Sequence, residues 1–187
     1  MKILLTGSNG FLGSALLRRL LAHGERDIRC FVRPGNDTSR IDAVRDDYPD
    51  AAIEIFHGNL VSKEDTVACL NGVEVVYHLA ATMKGSPAEI FLNTVVTSKN
   101  VLEAMHDRTA RVVLISSFGV YGVADLPPGE LIDENTPLEN HPEKRDVYSH
   151  AKWRQDKLFR DYRTEHDLPL VIIRPGVIYG PGGGAMS

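Results

Sequence analysis

Cysteine is nearly absent from the 187 residues: Cys30 and Cys69 stand alone, outside any C-x-x-C pair or metal-type cluster. A disulfide framework and a zinc-organised fold are thereby excluded. The histidines His78, His141, His150 and His166 are scattered without ligand spacing, so no metal site is expected. Long apolar runs are missing as well, and nothing approaches the roughly 20 residues that a membrane-spanning helix needs. The first five residues, one of them lysine, run directly into Thr6 and Gly7, too short an apolar stretch for a secretory signal. Basic blocks are lacking too. With 21 Lys+Arg against 25 Asp+Glu the net charge is −4, which argues against nucleic acid as a partner. There is no internal repeat, and the only low-complexity stretch is Gly182-Gly183-Gly184. What is present, 43% hydrophobic and 25% charged residues, is the balance of a globular chain. The expectation is a single cytoplasmic domain over residues 1–187, with no membrane partner.

Short apolar runs alternate with longer amphipathic stretches, the pattern of a parallel sheet wrapped by helices. Strands are predicted at 2–6, 28–33, 53–57, 73–79, 111–116 and 170–174. Helices are predicted at 11–23, 39–47, 62–70, 87–106 and 147–165. Ser62, with Asp65 and Glu64 following, makes the start signal of the third helix. The fourth strand is rich enough in valine to be buried on both faces. Residues 118–145 hold Pro127, Pro128, Pro137 and Pro142 without a clean period and read as one long loop. Six strands with helices between them predict an α/β, doubly wound parallel sheet of Rossmann type, strand order 3-2-1-4-5-6. Such a sheet binds its ligand beyond the carboxyl ends of its strands.

Gly7-Ser8-Asn9-Gly10-Phe11-Leu12-Gly13 follows the first strand directly and opens the first helix. Gly7 permits the sharp turn, Gly10 lets a pyrophosphate approach the backbone, and Gly13 lets the helix pack close to the strand. The helix N-terminus then offers free N–H groups to the anion. The second strand ends in Arg33, where many dinucleotide sites carry a carboxylate for the adenosine ribose. A guanidinium there pairs with a 2′-phosphate, so Arg33, with Arg40 as a second candidate, argues for NADP(H) over NAD(H).

Tyr148 and Lys152 lie four residues apart and share one helical face. An ammonium beside a phenol favours the phenolate, so Lys152 is expected to lower the Tyr148 pKa toward the working range. The tyrosine would then act as acid to a carbonyl oxygen or base to an alcohol. Ser116-Ser117 closes the fifth strand at the ligand edge, where a hydroxyl could steady the substrate oxygen.

These features together resemble the extended short-chain dehydrogenase/reductase family, the NAD(P)-dependent epimerase/dehydratase group. The resemblance runs in order through the glycine turn, His78-Leu79-Ala80-Ala81, Asn93 with Asn100-Val101-Leu102-Glu103-Ala104, Ser116 to Gly122, Tyr148 to Lys152, and Arg174 to Pro181. It implies a proton-donating Tyr148, a Lys152 that also bonds the nicotinamide ribose, and a hydroxyl partner that the spacing to Tyr121-Gly122 makes Ser117. It also implies coenzyme contacts at Gly7, Asn9, Gly10, Phe11, Leu12, Gly13, Arg33, Asn59, Leu60, Leu79, Ala80, Ala81 and Asn93. Tyr148, Lys152, Pro175, Gly176 and Val177 complete that set on the nicotinamide side.

Two departures stand out. Asn59 occupies the place of the family's usual aspartate after the third strand, which alters the polarity of adenine recognition. Arg33 replaces the acid of the second strand and resembles reductase-type members that use NADP(H). Members of the family typically continue into a smaller C-terminal lobe, which is largely absent from a chain that stops at Ser187. The expected activity is therefore that of an NAD(P)-dependent oxidoreductase acting on a small carbonyl or alcohol substrate, with weak turnover from this chain alone. A nucleotide-sugar epimerase with bound NAD is the alternative enzyme, and a non-catalytic NADP(H)-binding sensor the alternative from another class. A 4,6-dehydratase fits less well, since Ser117-Phe118-Gly119 stands where those enzymes resemble Thr-Asp-Glu. By the same resemblance a homodimer would pair through the helices at 87–106 and 147–165, and Cys30, Cys69 and Trp153 are expected to be packing residues.

Overall fold

A computed structural model describes residues 1–105 and 111–183. Its strands are β1 (Lys2–Thr6), β2 (Asp27–Val32), β3 (Ala52–His57), β4 (Val75–His78), β5 (Arg111–Ile115) and β6 (Leu170–Ile173). All pair in parallel, in the order β3-β2-β1-β4-β5-β6 that the sequence predicts. The order reverses between β1 and β4, and the chain leaves both strands there on the same edge.

The helices are α1 (Phe11–Ala22), α2 (Ser39–Asp47), α3 (Lys63–Cys69), α4 (Pro87–Phe91), α5 (Thr97–Ala104) and α6 (Val147–His166). Each start has a local cause. Ser62 accepts from Asp65 N, as its spacing predicts, and Asp146 caps α6 by accepting from Ser149 N. Ser86 and Glu89 form a reciprocal capping box, with Pro87 in the first turn of α4. The single long helix expected from residue 87 is helical but not uniform. A π turn at Leu92–Val96 joins α4 to α5, and the Asn93 amide donates to the Glu89 carbonyl across it. Position 106 lies outside the described residues.

Two apolar layers sandwich the sheet. Leu4, Val76, Val112 and Leu114 pack under α3, α5 and α6 with Val101, Leu102 and Phe159. Ile3, Leu5, Ile28 and Cys30 pack under α1 and α2 with Leu17, Leu21 and Ile41. On that second face, among the described residues, Val171 and Ile173 of β6 are 57% and 46% exposed. Both cysteines are buried, and burial pushes the Cys30 thiol up to about 12.

The long segment after β5 is more ordered than its prolines suggest. It holds 3-10 turns at Phe118–Val120, Val123–Asp125 and Pro142–Lys144, and Tyr121 bridges Leu138. Predicted strand ends also shorten. Arg33, Leu79, Ser116 and Arg174 fall just past β2, β4, β5 and β6, on the ligand edge. The glycine-rich end expected at 181–187 is described only to residue 183.

Candidate active site

The glycine turn is built as its spacing demands. Gly7 sits at φ 70°, and a Cβ there would lie 3.1 Å from the Leu79 carbonyl carbon. A Cβ on Gly13 would lie only 2.0 Å from Gly7 O, so nothing larger fits while α1 stays against β1. Gly10 N donates to Gly7 O at 3.1 Å, and Gly10 starts α1 with no side chain capping the helix. The N–H groups of a helix's first turn lack intrahelical acceptors, which suits a bound anion, and Gly10, Phe11, Leu12 and Gly13 line the cleft. Ser8 is buried and donates to Phe31 O, while the Asn9 amide donates to Asp37 O at 3.1 Å, tying the turn to the loop after β2.

A cavity of about 410 Å³ opens beyond this turn. Its wall contains the predicted coenzyme residues Gly7, Asn9, Gly10, Phe11, Leu12 and Gly13 from the turn. Arg33, Asn59, Leu60, Leu79, Ala80, Ala81 and Asn93 line it from the neighbouring strand ends and the π turn. Arg33 reaches across to Asn93, its Nη1 donating to Oδ1 at 3.3 Å. Arg40 is not in the wall and donates instead to Gly182 O. Asn59 Oδ1 accepts from Val61 N at 3.0 Å, and its amide carries N–H donors that an aspartate in this place would lack. Phe31, Asn36, Thr82, Met83, Thr97 and Ile115 also line the cavity and escaped the sequence reading. Thr97 and Ile115 had a usable signal: one lies a turn beyond Asn93, the other ends β5.

Tyr148, Lys152, Pro175, Gly176 and Val177 lie outside the cavity wall. Pro175 accepts from Phe118 N at 2.8 Å and so holds the loop after β5; Gly176 and Val177 are exposed. Lys152 is buried beside the cavity, and its Nζ donates to the carbonyl of the wall residue Ile115 at 2.7 Å. It donates also to Gln155 Oε1 at 2.6 Å. Burial depresses its pKa to about 7 against an opposing attraction from Asp156.

The two serines after β5 separate cleanly. Ser116 is buried and donates to Asp156 at 2.6 Å, whereas Ser117 accepts from Gly119 N and lies near enough to the Tyr148 phenol to lower its pKa. Asp156 is fully buried and also takes Arg174 through Nε and Nη2, each at 2.9 Å. Arg174 Nη1 continues to the Tyr121 hydroxyl at 3.2 Å.

The phenol departs from the sequence expectation. The Tyr148 phenol is pushed above its ordinary value, not below it, by burial first and then by the Asp146 carboxylate; the Ser117 hydroxyl opposes them. Lys152 has no part in that balance. A desolvated ammonium must spend its donors on acceptors within reach, and those are Ile115 O and Gln155.

An uncapped helix start behind a glycine turn, at the reversal point of a 3-2-1-4-5-6 sheet, defines a dinucleotide-binding Rossmann protein. The chain belongs to the NAD dependent epimerase/dehydratase family, whose profile matches residues 3–187. Over 185 residues it is 32% identical to Sterol demethylase protein B of Methylococcus capsulatus, covering 97% of this chain and 52% of that protein. It is 26% identical to Cinnamoyl-CoA reductase 2 of Medicago truncatula, over 96% of this chain and 54% of that one. The crystal structure of UDP-glucuronic acid 4-epimerase from Bacillus cereus in complex with NAD superposes with a TM-score of 0.76 at 25% identity. That match covers 97% of this chain and 57% of the epimerase. The chain thus spans about half the length of the relatives it matches. Among the described residues no helix is long and apolar enough to cross a membrane, and no group of His, Cys, Asp and Glu could hold a metal ion.

Proposed function

We propose that this chain carries the coenzyme-binding fold of an NADP(H)-dependent oxidoreductase that reduces a carbonyl group on a small molecule, or oxidises the matching alcohol. The observation that carries the reading is the charge of the cavity wall. Among the described residues Arg33 is its charged side chain, and no carboxylate lines it. A carboxylate would repel a 2′-phosphate, while an exposed guanidinium at the end of β2 can pair with one bidentately.

The glycine cradle fits a dinucleotide, because a Cβ at Gly7 or Gly13 would occupy backbone contact distance. In this reading the first turn of α1 holds the pyrophosphate, Asn59 and Leu60 meet the adenine, and Lys152 sits against the nicotinamide ribose. The coenzyme supplies the hydride. Tyr148 supplies the proton: a phenol held above its ordinary pKa is protonated at neutral pH and suits the acid role in carbonyl reduction. Ser117, close to that phenol, orients the substrate oxygen beside it. The expected single domain over residues 1–187 belongs to the same proposal.

Titration calorimetry of the full chain with NADPH and NADH tests the coenzyme, with Arg33→Asp beside wild type. NADPH is expected to bind at least about tenfold more tightly to wild type, and the substitution to reverse the order. Equal affinities in wild type would refute the NADP(H) assignment. Turnover of a carbonyl panel with NADPH, lost in Tyr148→Phe while coenzyme affinity persists, tests the proton role. Nucleotide-sugar epimerisation is the second reading, favoured by the resemblance to the NAD-bound UDP-glucuronic acid 4-epimerase. Coenzyme identity after purification separates the two, since an epimerase of that kind would carry NAD through the column.

A further inference from the structure

A continuous chain of buried polar groups joins the coenzyme cavity to Lys152. It begins at Thr6, whose Oγ1 accepts from the backbone N–H groups of Leu79 and Ala80, both at 3.1 Å. Thr6 Oγ1 lies 3.0 Å from His78 Nδ1, and His78 Nε2 lies 2.9 Å from Ser98 Oγ. Ser98 in turn meets Gln155 Nε2 at 2.7 Å, and Gln155 Oε1 accepts from Lys152 Nζ at 2.6 Å. Thr6, His78, Ser98 and Gln155 are all completely buried.

Donor counting assigns every proton along this path. Ser98 has one hydroxyl proton and gives it to Thr94 O at 2.5 Å. Its lone pairs must then accept from both Gln155 Nε2 and His78 Nε2. His78 is therefore the neutral tautomer protonated on Nε2, and its Nδ1 accepts the Thr6 hydroxyl proton. The Gln155 amide cannot turn over, because its NH₂ would then face the ammonium and its oxygen would face a serine with no proton to offer. We infer that Gln155, locked by Ser98 and His78, is the positioning residue that holds Lys152 against the coenzyme cavity.

This inference rests on the functional reading only where it places Lys152 beside a coenzyme; the lock itself exists in the free chain. Two of the three lysine donors are committed, to Ile115 O and Gln155. The charged and titratable groups around the ammonium come from two elements. Asp156 follows on α6, already engaged by Arg174, Ser116 and Arg160; Tyr148 precedes on the same helix; neutral His78 faces from β4. The Thr94 and Ser98 side that packs on Gln155 is uncharged. Burial disfavours the ammonium and leaves it dependent on its acceptors, so loss of the Gln155 oxygen should be felt directly in the lysine titration.

The test follows the Lys152 Cε and Nζ resonances against pH in the full chain carrying ¹³C,¹⁵N-lysine, assigned by their loss in Lys152→Met. Wild type should titrate far below the ordinary lysine value of about 10.4. Gln155→Met should lower the midpoint by a further unit or so. Ser98→Ala, which does not touch the lysine, should shift it the same way, and Ser98→Thr should restore it. A purely structural network would lower thermal stability in these variants and leave the lysine midpoint alone. A wild-type midpoint in either folded variant overturns the inference; if Ser98→Ala does not fold, Gln155→Met decides by itself. Failure of the chain to bind NADPH or NADH would count instead against the functional reading.

Discussion

His78 gives this fold a measurable acid sensitivity. The ring is wholly buried between Thr6 and Ser98, and burial, aided by the Lys152 charge, depresses its pKa from 6.5 to about 3. The unfolded chain takes up this proton below about pH 6.5, while the folded chain refuses it until about pH 3. The contribution of neutral His78 is therefore fully present above pH 6.5 and lost as pH falls toward 3. The whole depression corresponds to about 5 kcal/mol, of which about 2 kcal/mol falls between pH 6.5 and 4.5. Against a typical total stability of about 5–15 kcal/mol, that is a large share. The assay is urea unfolding at those two pH values, read through the single tryptophan, Trp153, for wild type and His78→Gln. Carboxylates titrate in both proteins and cancel in the difference. Wild type should lose about 2 kcal/mol more than the variant over that interval. Parallel losses would show that the folded ring accepts a proton freely, and the buried neutral tautomer deduced for it would be wrong.

Two other substitutions probe the cradle and the buried ion pair. Gly13→Ala should cost about 1–3 kcal/mol of stability and at least about tenfold in coenzyme affinity, since its nearest neighbours are backbone atoms that must move; thermal unfolding and calorimetry read the two effects separately, and unchanged affinity would contradict the close packing of α1 on the turn. Asp156→Asn should destabilise by about 3–5 kcal/mol in urea at pH 7, because the half-buried Arg174 would lose its fully buried counter-charge; a loss below about 1 kcal/mol would mean that the guanidinium escapes to solvent.

Much of the architecture was legible because its causes are local. Lys2–Thr6 and Ser39–Asp47 fall where apolar pattern and flanking breakers put them, and the six parallel strands take the order that alternating strands and helices predict. The glycine turn was readable for a similar reason. A tight turn against a strand end excludes Cβ atoms, and the exclusion is written at Gly7, Gly10 and Gly13. Other features answer to partners far away in sequence. The spacing of Tyr148 and Lys152 puts them on one helical face, yet the ammonium turns to Ile115 and Gln155 and the phenol pKa rises instead of falling. Arg40 is drawn to Gly182 O and away from the cavity, while Pro175 serves the loop after β5. The π turn that presents Asn93 has no period of its own in the sequence, since one wider turn barely disturbs the apolar pattern on either side. Residue types and their spacing thus determined which elements form and where a dinucleotide can approach. Tertiary packing alone decided the protonation of His78, Lys152 and Tyr148, because burial and hydrogen-bond partners from β1, β4, β5 and α5 set the cost of each charge.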